Sequence, residues 1–126
     1  MIRALALLAL LIPGAAAAQS GVRAELAALA EAGSDAAALE LAVALSDGAW
    51  ATLFARAFAS QGCVLADEAA LNAGLAQALG MTPGFYQANL GAVMGASEDV
   101  FDAMLADGRV VVDQAARTVT LVDCTP

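Results

Sequence analysis

Residues 47–65 read DGAWATLFARAFASQGCVL, and the spacing of their apolar side chains changes once along the way. Trp50, Leu53, Phe54, Ala57 and Phe58 fall at i, i+3, i+4, i+7 and i+8, the stripe of a helix with one buried face. This spacing predicts a core helix over 47–61, opened by Ser46-Asp47 and stopped by Gly62. Cys63-Val64-Leu65 is then a short β-prone run. Cys63 and Cys124 are the only cysteines, and an even count without CxxC spacing points to a structural disulfide rather than a redox or metal site.

The partner cysteine follows a second change of period. Arg109 to Asp113 (RVVVD) and Thr118 to Val122 (TVTLV) flank the polar turn Gln114-Ala115-Ala116-Arg117 and predict a β-hairpin, with Val119 and Leu121 on one face and Thr118 and Thr120 on the other. A lone hairpin is marginal in water. Residues 63–65 supply a third strand, and a Cys63–Cys124 bond would fasten it beside the second hairpin strand, so the disulfide and the strand pairing support one another.

Between these segments, Ser, Asp or Thr stands near expected helix starts and Gly near expected stops. Helices are expected over Val22–Ala32 (Val22, Leu26, Leu29), Asp35–Leu45 (Leu39, Leu41, Val43, Leu45) and Asp67–Leu79 (Leu71, Leu75, Ala78, Leu79). Thr82-Pro83 opens a further helix carrying Phe85, Tyr86, Leu90, Val93 and Met94, and Ser97 is expected to cap a last short one carrying Val100, Phe101, Met104 and Leu105. The fold class is therefore α+β and mainly helical, with five to six short helices followed by a C-terminal hairpin. The order of helix, short strand, helices and hairpin resembles that of a winged-helix domain. The likeness is one of architecture and is carried by no residue motif, so it implies nothing about function.

The N-terminal segment MIRALALLALLIPGAAAAQS has an early Arg3, an apolar stretch from Ala4 to Ile12, a break at Pro13-Gly14 and a run of alanines. That is the pattern of a secretory signal peptide, with Ala16 and Ala18 placing cleavage after Ala18. The apolar stretch is shorter than a membrane span of roughly 20 residues, and no cysteine follows it to be acylated. Residues 19–126 are expected to form one small disulfide-bonded domain, periplasmic or secreted, without stable membrane insertion.

Composition narrows the chemistry. The chain has 13 acidic and 5 basic side chains, no His, and a formal charge of -8. All five bases are arginine, and residues 57–108 contain none of them, so the recognition helices of a DNA-reading winged helix have no counterpart and nucleic acid is not expected as a partner. Ser34, Ser46, Ser60 and Ser97 have neither His nor Lys to activate them as nucleophiles. Paired carboxylates, as in glycosidases, are available at Asp67 with Glu68 and at Glu98 with Asp99 and Asp102. Both groups fall in the first turn of an expected helix, where acids favourably oppose the macrodipole. The acids lack the spacing of a calcium loop, and Met81, Met94 and Met104 are too scattered for a copper site. No catalytic residue, metal ligand or cofactor is therefore assigned.

The segment Thr82 to Gly95 is the least ordinary. Phe85, Tyr86, Gln87 and Asn89 form a candidate interaction surface of aromatics beside amides, and Gly91 with Gly95 would permit close helix approach. The expectation is a small exported, non-enzymatic protein that binds another exported or envelope protein as an accessory or inhibitor-type factor. The alternative is a carrier of a small apolar ligand in a cavity bordered by Trp50, Phe54, Phe58, Phe85, Tyr86 and Phe101.

Overall fold

Serine, aspartate and glycine set most of the boundaries in the computed structural model, which describes residues 21–126. The expected signal segment lies outside the described residues. The elements run α1 (residues 21–30), α2 (Asp35–Ala42), α3 (Asp47–Ser60), β1 (Val64–Leu65), α4 (Glu68–Leu79), α5 (Pro83–Ala88), α6 (Leu90–Ala106), β2 (Val110–Asp113) and β3 (Thr118–Leu121). Ser34, Ser46 and Asp67 accept from the backbone N–H of Ala37, Ala49 and Ala70, which satisfies one free donor at the start of α2, α3 and α4. Gly80 closes α4 in the left-handed conformation.

Helix α3 is the centre. Trp50, Leu53, Phe54, Ala57 and Phe58 are all buried along it, as their spacing predicts. Helices α4 and α6 pack against it. The crossing with α4 is unusually close, since a Cβ placed on the buried Gly74 would lie 2.7 Å from the carbonyl oxygen of Ala57 and 3.1 Å from its carbonyl carbon. Only glycine fits there.

The three strands form an antiparallel sheet in the order β1-β3-β2, with Val64 opposite Thr120, Leu65 opposite Val119, and Val110 opposite Leu121. Leu65, Val110 and Leu121 turn inward and are buried. On the other face the row Val64–Thr120–Val111 looks outward, and both valines are 47% exposed. The disulfide joins Cys63 to Cys124 across the end of β1 and β3 with a Cα–Cα distance of 5.7 Å. It accompanies the third strand as the sequence implies. Cys63 itself adopts a left-handed backbone (φ 72°) just after Gly62, its N–H donates to the Phe58 carbonyl, and its carbonyl accepts from Leu121.

Two expected helices differ from those observed. The second ends at Ala42 and buries Ala38 and Ala42, leaving Leu41 and Val43 exposed. Side chains two apart point to different sides of a helix, so the run Leu39, Leu41, Val43 could not share one face, whereas alanines four apart do. The break between the last two helices comes at Asn89 and not at Gly95-Ala96-Ser97. There Asn89 leaves the helical conformation (φ -117°, ψ 20°), and its backbone N–H and its side-chain amide both donate to the Phe85 carbonyl at the end of α5. Ser97 is therefore not a cap. It is buried inside α6, where its hydroxyl donates to the Val93 carbonyl one turn back. Gly91 and Gly95 bring no neighbouring backbone close, because a Cβ on either would meet nothing within 4 Å. Close approach belongs to Gly74.

Two long-range ties complete the frame. The Ser46 backbone N–H and hydroxyl both donate to Glu25 of α1, and the Thr82 backbone N–H and hydroxyl both donate to Asp35 of α2. Thr82 precedes α5 as expected but makes no side-chain cap bond there, its hydroxyl being committed to Asp35. Among the described residues, no helix is long and apolar enough to cross a membrane.

Candidate functional site

The segment Phe85–Asn89 is the junction of α5 and α6 and does not form one exposed surface. Tyr86 is 1% exposed, and its hydroxyl donates to the buried Asn72 side chain over 3.0 Å. Phe85 is half-buried against the core, Asn89 is half-buried and bonded to Phe85, and of the four only Gln87 is exposed. Burial pushes the Tyr86 phenol up from its ordinary 10.0 to about 12, with the nearby Glu68 carboxylate adding to the shift.

This tyrosine provides a pH-dependent readout. The folded protein keeps the phenolic proton while the unfolded chain loses it above about pH 10, so the contribution to stability is complete below that pH and is lost as pH rises towards about 12. Because Tyr86 is the only tyrosine, ultraviolet absorbance titrates it directly. The native band is expected to shift only near pH 12, and Tyr86→Phe is expected to flatten this part of the alkaline loss of stability. Ionisation of the folded protein near pH 10 would contradict the burial of this hydroxyl.

The aromatic residues do not enclose one cavity. Trp50, Phe58 and Tyr86 are packed in the core. Phe54 is packed there too and stacks obliquely between Trp50 and the half-buried Phe101, with ring centroids 6.1 and 5.3 Å away, and the row leads from the core to an open groove.

The groove has a volume of about 410 Å³. Helices α4 and α6 line it with Leu71, Leu75, Met94 and Phe101, while Phe54 of α3, Leu65 of β1 and Val119 of β3 complete its apolar surface. The sequence places these groups by ordinary helical spacing. Met94, Glu98, Phe101 and Asp102 form one stripe of α6 at i, i+4, i+7 and i+8, beside the buried stripe Val93, Ser97, Val100 and Met104, of which Ser97 also borders the groove.

Around this apolar surface stand Asp67, Glu68, Glu98 and Asp102, all exposed, with a single guanidinium from Arg117. The two acidic groups noted in the sequence thus meet at one groove, apart from Asp99, which is not among its lining residues. Their local explanations differ. Asp67 caps α4, accepting from Ala70 over 2.8 Å, and Glu68 lies in its first turn, so both suit the helix dipole. The sequence expects Glu98, Asp99 and Asp102 in a first turn as well, yet α6 begins at Leu90 and places them at and beyond its midpoint, where the dipole offers no such support.

The one serine at the groove, Ser97, is bonded to its own helix, so the reactive oxygens the groove presents are its carboxylates. The Ser34 and Ser46 hydroxyls serve as caps, and those of Ser60 and Ser97 donate to the Ala57 and Val93 carbonyls. Among the described residues, no group of three His, Cys, Asp or Glu is placed to hold a metal ion. What the arrangement offers chemically is an apolar surface for large side chains and a charged rim at its edge. No single stretch of sequence announces it, because its lining is drawn from five elements. The one local signal was the pair of acidic groups. Comparison with protein-family models, with curated proteins and with solved structures gave no match.

Proposed function

We propose that the protein is a small exported, non-catalytic factor that binds another polypeptide of the cell envelope through the groove between α4 and α6, as an accessory or inhibitory subunit. The observation that carries this reading is the groove itself, an apolar surface open to solvent and edged by charged side chains, the usual arrangement of an apolar interface centre within a polar rim. A periplasmic or secreted location is part of the proposal. The Cys63–Cys124 bond is compatible with an oxidising compartment, and the residue pattern of positions 1–18 supports export. Nucleic acid is not a partner in this reading, since the chain is strongly acidic.

Transport of a small apolar ligand is the second reading, favoured by a groove volume within the roughly 300–1,000 Å³ of small-molecule sites. Photo-cross-linking in the producing cells separates the two. A photoreactive residue at position 94, in the groove, is compared with one at position 111, on the outward face of the sheet. The expected result is one recurrent cross-linked polypeptide from position 94 that is absent from position 111. Equal capture from both positions, or an isolated protein that retains a small molecule and captures no polypeptide, would overturn the binding-factor reading.

A further inference from the structure

Charge at the groove points to what occupies it. Glu68, Glu98 and Asp102 have no hydrogen-bond or ion-pair partner among the described residues, whose one salt bridge joins Arg109 to Asp107 elsewhere. Four carboxylates face one guanidinium around an apolar surface. Like charges gathered on a rim repel one another and are unfavourable for the isolated protein, and an opposite charge brought by a partner reverses that sign. Two helices form the walls, which is the setting in which an amphipathic helix lies with its apolar anchors inward. Met94 at the edge adds an unbranched, adaptable side chain to this surface.

We infer that the occupant is a cationic amphipathic segment of a partner polypeptide, with Leu- or Phe-sized anchors against Leu71, Met94 and Phe101 and Lys or Arg side chains against Glu68, Glu98 and Asp102. This rests on the binding-factor reading and adds the chemistry of the partner. An acidic or purely apolar segment would leave the rim unpaired, and Arg117 alone cannot balance it.

The test titrates the full disulfide-bonded chain with fluorophore-labelled model peptides of about 14 residues, long enough to be helical when bound. One carries Leu at helical spacing with Lys elsewhere, and its counterparts replace every Lys by Glu or by Gln. The Lys peptide alone is expected to bind, with affinity falling about tenfold or more between about 0.05 and 0.5 M salt. The triple variant Glu68→Gln, Glu98→Gln, Asp102→Asn is expected to weaken it at least about tenfold, as is Phe101→Ala. A reference triple variant with the same change of net charge, Glu31→Gln, Glu40→Gln, Asp99→Asn, alters exposed acids outside the groove lining and is expected to stay within about twofold. Equal weakening by both triple variants would show attraction to net charge only and overturn the inference. If the Gln peptide binds as tightly and Phe101→Ala abolishes it, the groove reading stands and the cationic partner falls. If no peptide binds, the cationic partner falls as well, and the cross-linking comparison decides separately whether the groove binds a polypeptide.

Discussion

Replacing Cys63 and Cys124 together by serine is expected to lower the melting temperature by about 15 °C. The bond closes a separation of 61 residues, and in the chain-entropy account a loop of that length contributes about 4 kcal/mol. For a domain of this size each kcal/mol moves the midpoint by roughly 4 °C or more. The structure adds a local reason for a large effect. β1 has only two residues, paired to β3 alone, and Cys63 holds a left-handed backbone that costs a non-glycine residue about 1 kcal/mol. Without the bond, the strand is held only by the burial of Leu65 and the few backbone bonds that Cys63 and β1 make. Calorimetry of the double variant checks the expectation, and using the double variant avoids leaving a reactive thiol. A loss below about 5 °C would show that the sheet keeps its register without the bond.

Gly74→Ala is expected to cost about 3 kcal/mol, opposite in sign to what helix propensity implies. In the interior of a helix, alanine is ordinarily favoured over glycine by about 1 kcal/mol. At position 74, however, the added methyl would meet the Ala57 carbonyl oxygen at 2.7 Å. Both contacting groups are tied to rigid helices, so α4 must move away from α3 and open the main helix pair of the core. Gly95→Ala is the matching reference, since nothing lies within 4 Å of its added carbon. It is expected to stabilise by about 0.5–1 kcal/mol. Urea unfolding of the two variants reads both signs, and a stabilised Gly74→Ala would contradict the close crossing.

The contrast between these glycines shows what the sequence made legible. Helix starts at Ser46 and Asp67, the stop at Gly80, the stripe of α3, the hairpin and the third strand with its disulfide follow from local spacing and turn chemistry. The α5–α6 break did not, because Gly95-Ala96-Ser97 has the composition of a stop and a cap, while the actual break falls at Asn89, whose backbone leaves the helical conformation and whose side chain bonds back to Phe85. Gly74 was invisible among apolar neighbours. Its role exists only through contact with Ala57, seventeen positions away in the chain and one helix over.

The site was legible in part for the same reason. Phe85, Tyr86, Gln87 and Asn89 looked like a surface because aromatics beside amides often are, but Tyr86 finds its partner Asn72 on α4 and turns inward. The acidic groups at 67–68 and 98–102 were visible as pairs, and an expected first turn accounted for both. Extending α6 back to Leu90 removes that account for Glu98 and Asp102 and sets them across an apolar groove from Glu68. Neither the groove nor the rim exists until α3 holds both helices.

The most direct measurement of this account is the pattern of backbone amide shifts in a heteronuclear NMR spectrum as the Leu/Lys peptide is added to the disulfide-bonded protein. If the groove is the binding face, the shifts gather at residues 67–75 at the start of α4, 94–102 of α6 and 117–119 around the start of β3, and the outward sheet residues Val64 and Val111 stay in place. Shifts centred on those valines, or spread evenly over every acidic surface, would contradict it.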